Sequence, residues 1–234
     1  MTATQLSDEL RSISLSGLEK TAYHSAKGIE PLPGAAVRAG DLLVPGYDVD
    51  GRLWTVQYIK EDGTKRFARQ SRKHGCFHVV GAANAAEGLQ RLASSAVLVI
   101  AEGYATAATV AKYGHVSAVA AVDSGNLLAV ATALHERWPG KPIMIAGDDD
   151  HRLENNPGRA KAVEAAAAVK GLAVFPRLDA QQRERGLTDF NDLVLENRPL
   201  AGQQLEAVSR ARTGQIENEL ERVREQSMEV GTRV

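Results

Sequence analysis

Four short apolar runs, spaced by stretches long enough for a helix, set the tightest limit on how this chain can fold. They are AVLVIA (96–101), VSAVAAV (116–122), PIMIAG (142–147) and LAVFP (172–176). Each is too short for a helix and lacks polar alternation, so each reads as a strand buried on both faces. A helix through about Tyr113 follows the first run, and NLLAVATALHERW forms an amphipathic helix after the second. PGRAKAVEAAAAVKG (157–171) is a third helix, with Pro157 suited to its first turn and Gly171 to its end. Strand–helix alternation of this kind predicts an α/β fold with a mostly parallel sheet flanked by helices.

The acids fall where such a sheet does its chemistry. Ligands bind beyond the carboxyl ends of parallel strands. Glu102 follows the first run, Asp123 the second, and Asp148, Asp149 and Asp150 the third. In an extended segment alternate side chains share a side. Asp148 and Asp150 therefore point together and Asp149 points away. Converging carboxylates are costly unless a cation sits among them, and hard oxygen ligands select Mg²⁺ or Mn²⁺. Asp123 can equally be a helix cap or turn residue before Ser124-Gly125-Asn126. Asp189 and Asp192 in TDFNDL either cap a helix or complete a second metal position.

The upstream section differs in character. Residues 1–27 read as a helix, with Leu6, Leu10 and Ile13 at helical spacing. A connector with Pro31, Pro33 and Pro45 leads into residues 41–80, which read as a small antiparallel sheet. Asp50-Gly51 and Asp62-Gly63 are its hairpin turns, and GCFHVVG (75–81) is a further strand. Helices are predicted over 189–197 and 200–227, the last highly charged. The organisation is then residues 1–90, a helix plus a β-rich subdomain; 91–199, the parallel domain; and 200–234, a charged helix.

EGYATAATVAKYG (102–114), GDDD (147–150) with NPGRAKA (156–162), and TDFNDL (188–193) together resemble the Toprim domain. Bacterial primases, topoisomerases and some nucleases share this domain. The resemblance implies a compact parallel α/β fold. It implies that Glu102 is a metal ligand or general acid/base, and that Asp148 and Asp150 hold Mg²⁺ (or Mn²⁺). Asp189 and Asp192 resemble the later acidic pair of primases. Where replicative primases carry an aspartate four residues after the glutamate, this chain has Thr106. The section DLLVPGYDVDGRLWTVQYIKEDGTKRF…GCFHVVG is similar to the subdomain preceding Toprim in primases. The EGYATA form resembles the modules of plasmid conjugation and mobile-element proteins. The resemblance therefore implies primer synthesis from nucleoside triphosphates on single-stranded DNA, alongside further domains or replication and conjugation proteins. Phosphodiester cleavage and nucleic-acid binding without catalysis are the alternatives.

Lys60, Lys65, Arg66, Arg69, Arg72 and Lys73 lie close in sequence and are the candidate nucleic-acid-binding residues, with Phe67 and Phe77 available for stacking. Strand alternation puts Lys65 and Phe67 on one face and Arg66 on the other. At a net charge of −1 the chain is no DNA-coating protein, so any nucleic-acid site is a local patch. The single cysteine, Cys76, excludes an internal disulfide and a cysteine zinc site. No apolar run approaches the roughly 20 residues that cross a bilayer, and no signal core opens the chain, so a cytoplasmic location is expected. No P-loop and no dinucleotide fingerprint occur.

Overall fold

The computed structural model describes residues 19–206. Leu6, Leu10 and Ile13 and the charged stretch beyond residue 206 lie outside the described residues. Of the helix expected over residues 1–27, Ala22–Lys27 (α1) is present. It starts at a capping box in which Thr21 accepts from the His24 N–H and the His24 ring accepts from the Thr21 N–H.

Two sheets follow. The first is antiparallel, in the order β1 (Ala36–Arg38), β2 (Asp41–Tyr47), β3 (Leu53–Ile59) and β4 (Lys65–Phe67). Its three turns all carry glycine at positive φ, and the last two are those expected, Gly51 at 78° and Gly63 at 83°. Each of these last two is fastened by an aspartate. Asp48 accepts from the Asp50 and Arg52 N–H groups, and Asp62 from that of Thr64.

The second sheet has the order β5 (His78–Val79), β7 (Ala118–Ala120), β6 (Leu98–Ala101), β8 (Ile143–Ala146), β9 (Leu172–Val174). All its pairings are parallel except that of β5 with β7. The expectation that residues 75–81 extend the small antiparallel sheet needs correction. Only His78 and Val79 are strand, and they edge the second sheet. A bridge between Tyr47 and Phe77 joins the two sheets.

The helices are α2 (Ala85–Ser94), α3 (Tyr104–Gly114), α4 (Leu127–Arg137), α5 (Pro157–Ala168), α6 (Ala180–Arg185) and α7, residues 190–206. Strands of the second sheet divide their side chains between two cores. Val99, Ala101, Met144 and Ala146 join α3 on one face. Leu98, Ile100, Ile143 and Ile145 join α4 and α5 on the other. Double burial explains why these strands read as unbroken apolar runs. Among the described residues, no helix is long and apolar enough to cross a membrane.

Three local expectations change. Gly171 does not supply the left-handed residue after α5, because Lys170 does, at φ 51°. Gly171 is small for a different reason: a Cβ there would stand 2.5 Å from the Ile143 carbonyl oxygen. The helices expected over 189–197 and from 200 are continuous through Pro199 as α7. And α6 was not anticipated, since AQQRER has no apolar stripe. Only its caps mark it, Asp179 in a capping box with Gln182 and Gly186 at φ 87°.

His78 packs on Tyr104 with ring centroids 5.7 Å apart and places Nδ1 3.1 Å from the Pro45 carbonyl. Burial lowers its pKa from 6.5 to about 4. The unfolded chain therefore binds the proton first. This contribution is intact above pH 6.5 and is lost as pH falls toward 4, at a cost of about 3 kcal/mol. Acid titration of the melting temperature should show this loss, and His78→Gln should flatten it.

Candidate functional site

Connections leaving β6 and β8 go to opposite faces of the sheet, α3 to one and α5 to the other. They open a crevice between the carboxyl ends of these two strands. The register pairs Ala101 with Ala146, which puts Glu102 level with Gly147 and one step from Asp148.

The acids act on one another across this crevice. Burial raises Asp148 well above the usual carboxylate range, and Asp189, Glu102 and Asp150 push it further. Asp148 Oδ1 is sealed from solvent without a hydrogen-bond partner. Burial also raises Glu102, with Lys65 and Lys161 opposing and Asp150 and Asp123 adding. Asp150 is held by α5, its Oδ2 accepting from the Gly158 N–H at 2.9 Å. Among the described residues, no three Asp, Glu, His or Cys side chains close on a common point as a ligand shell would. The groups nevertheless suit a hard divalent cation. They offer carboxylate oxygens, an orphaned buried Oδ1, and like-charge repulsion that such an ion relieves.

Asp149 points elsewhere. Its Oδ1 accepts from Asn156 Nδ2 at 2.7 Å and Arg159 Nε at 3.1 Å, and Arg183 Nη2 forms an ion pair with Oδ2 at 2.7 Å, close in distance though not aligned as a hydrogen bond. Burial works against its charge, but these hydrogen bonds and arginines outweigh it and hold the carboxyl below the usual range.

The later acidic pair separates into two environments. Asp189 is buried and starts α7, its Oδ1 accepting from the Asp192 N–H at 2.7 Å. Burial and the Asp192 charge raise it, against that N–H, Lys27 and the Thr106 hydroxyl. Thr106 Oγ1 donates to Asp189 Oδ2 at 3.2 Å, so the threonine that replaces the primase aspartate still touches an acid that faces Asp148. Asp192 instead accepts from the Thr188 N–H at 3.0 Å and pairs with Lys27 at 3.5 Å.

The basic residues do not share one groove. Lys65 Nζ lies 3.3 Å from where a Cβ on Gly103 would stand, beside Glu102. Lys73 pairs with Asp123 at 2.5 Å and sits 5.3 Å from the centre of the Phe67 ring. Arg72 stacks on Trp54 at 4.0 Å and pairs with Asp48 at 3.2 Å. Arg66 opposes Tyr58 on the other face of β4, and Lys60 and Arg69 are exposed around the β3–β4 hairpin. Phe77 is buried and offers no face for stacking.

Sequence reasoning did not single out Lys161, whose Nζ is 3.2 Å from Ser124 Oγ and whose charge reaches Glu102. The available signal was its place three residues after Gly158, on the helix face that meets the acids. His151 is also tied down, Nδ1 2.8 Å from the Asp149 carbonyl and Nε2 3.0 Å from that of Arg183. Tyr104 is fully buried.

A parallel α/β sheet with acids at its carboxyl edge, entered through an EGY turn and a GDDD loop, defines the class. Residues 97–198 match the family model of the Toprim domain, and this part of the chain is a Toprim domain. Over 165 residues the chain is 54% identical to two Escherichia coli proteins, each named DNA primase TraC. The match covers 68% of this chain but only 15% and 11% of those proteins. In fold the chain is similar to the DnaG catalytic core (TM-score 0.50, 15% identity, 85% of this chain and 84% of that one). The primase fragment of the bacteriophage T7 primase-helicase is comparable (TM-score 0.50, 16% identity, 73% and 66%).

Proposed function

We propose that this chain carries the nucleotidyl-transfer core of a DNA primase, which joins nucleotides into a primer on single-stranded DNA with Mg²⁺ or Mn²⁺. The observation that carries this reading is the half-buried Glu102–Asp148–Asp150 crevice of a Toprim domain, in a chain 54% identical over 165 residues to proteins named DNA primase. Asp148 and Asp150 would hold the ion, with Glu102 beside them, and the charge of Asp189 acts on Asp148. The bound ion supplies charge neutralisation at the reacting phosphate. Lys65, Lys73 and Lys161 neutralise flanking phosphates, and Glu102 accepts the proton of the attacking 3′-hydroxyl as the new P–O bond forms and pyrophosphate leaves. The relatives' name and the EGYATA sequence favour a setting in plasmid DNA processing, with the remaining primase machinery on other domains or partners.

Tyr104 is fully buried and packs within the fold, so it is not a nucleophile for strand cleavage. Incorporation of labelled nucleotide opposite a single-stranded oligonucleotide tests the proposal. Wild type should make metal-dependent product, and Glu102→Gln should lose about 100-fold or more of the rate. No product from wild type with either metal, or equal product from both proteins, would reject it.

A further inference from the structure

Helix α6 is six residues long and buries only Gln182, so apolar packing does not hold it in place. It is tied instead to the loop that carries Asp148 and Asp150. Arg183 reaches the Asp149 carboxylate, and the His151 ring spans the Asp149 and Arg183 carbonyl oxygens. Arg152 donates to the Glu184 carbonyl. Just beyond the helix, the Asp149 N–H donates to the Thr188 carbonyl at 2.7 Å, one residue before Asp189. Arg185 and Gln182 in turn bind Glu196 of α7. On its other side Asp149 is gripped by Arg159, which stacks on Phe175 at 4.0 Å.

We propose that Asp149 is a positioning residue. Its buried carboxylate, clamped between Arg159 of α5 and Arg183 of α6, sets where Asp148 and Asp150 stand relative to each other and to Asp189. The physical argument is one of rigidity. Asp189 and Asp150 both oppose charge on Asp148, and the loop carrying Asp148 and Asp150 relaxes outward unless it is anchored. An anion between two converging side chains cannot anchor it, but an anion turned the other way, onto two arginines, can. Outer contacts of this kind commonly govern the affinity of a metal site.

The inference rests on the reading that Asp148 and Asp150 bind a divalent ion. Its test is calorimetric titration of the full chain with Mn²⁺ alone, at a temperature where circular dichroism shows every variant folded. Asp149→Asn and Arg183→Gln are each expected to weaken Mn²⁺ binding by about 10- to 100-fold. The double variant should lose no more than the worse single, because both act through one contact, and Arg183→Lys should recover part of the loss. Arg183 is partly exposed on a surface helix, so Arg183→Gln serves if Asp149→Asn does not fold. Wild-type affinity in both single variants, or losses that multiply in the double, overturns the clamp. Asp148→Asn separates the two readings. If it leaves Mn²⁺ affinity unchanged, the metal assignment itself fails; if it abolishes binding while Asp149→Asn does not weaken it, only the clamp fails.

Discussion

Asp148→Asn is expected to abolish metal-dependent nucleotide incorporation while making the ion-free protein more resistant to heat. On the proposed reading Asp148 is a ligand, and an ion held there would supply several kcal/mol of charge stabilisation, about a thousand-fold in rate. The gain follows from electrostatics. Burial, Asp189, Glu102 and Asp150 all disfavour the ionised Asp148 side chain. Its folded pKa is raised above 3.8, so between those two values the native state holds a proton that the unfolded chain has released. The carboxyls' contribution to the stability of the ion-free protein is therefore lost as pH rises through the raised values of Asp148, Glu102 and Asp189, opposite in sign to that of His78. Asparagine has no proton to release and removes much of that slope. Scanning calorimetry in chelator at pH 5 and 8 checks it. A variant that melts lower than wild type at pH 8, or that retains activity, would show that Asp148 does not sit among competing charges. Adding Mg²⁺ to wild type should raise its melting temperature at pH 8, because ligand that binds only the native state stabilises it.

Gly158→Ala is the second large effect, and it runs against helix propensity. Alanine is favoured over glycine inside a helix by about 1 kcal/mol. Here, however, a Cβ would stand 2.6 Å from Asp150 Oδ2, 3.0 Å from the Asp148 carbonyl oxygen and 3.2 Å from Asp148 Cβ. The added methyl must push the acidic loop outward or α5 away from it. Displacements near 1 Å at a reacting centre cost on the order of 100-fold. Activity should fall by about that factor, with a melting temperature little changed because the propensity gain offsets part of the clash. Gly202→Ala is the matched control. A Cβ at that position in α7 meets nothing within 4 Å, so this variant should gain stability and keep full activity. Primer-synthesis rates and melting curves of both variants decide the matter, and an active Gly158→Ala protein would mean that the loop does not need its present position.

The strands and their terminal acids were legible in the sequence for a physical reason. Double burial leaves Leu98–Ala101 and Ile143–Ala146 with no polar residue to interrupt them, so their ends are sharp and Glu102 and Asp148 mark them. Hairpin turns were legible because Gly51 and Gly63 need positive φ. Features that depend on distant partners were not. Residues 75–81 did read as strand, but which sheet His78 and Val79 join is set by pairing with Ala120 and Val119, some forty residues on. Helix α6 has almost no local signal beyond its caps. Charge in sequence also says little about charge in space. Arg72 is spent on Trp54 and Asp48, whereas Lys161, nearly ninety residues from the basic stretch, faces Glu102.

Placement of β5 bears on where the chain can be cut. The family match begins at residue 97, after β5 has already been laid down. A fragment trimmed to that boundary would leave the outer flank of β7 with unsatisfied amide and carbonyl groups, a template for unwanted pairing between molecules. Keeping His78 and Val79, together with the Tyr47–Phe77 link that holds them in register, makes the smallest piece with a finished border.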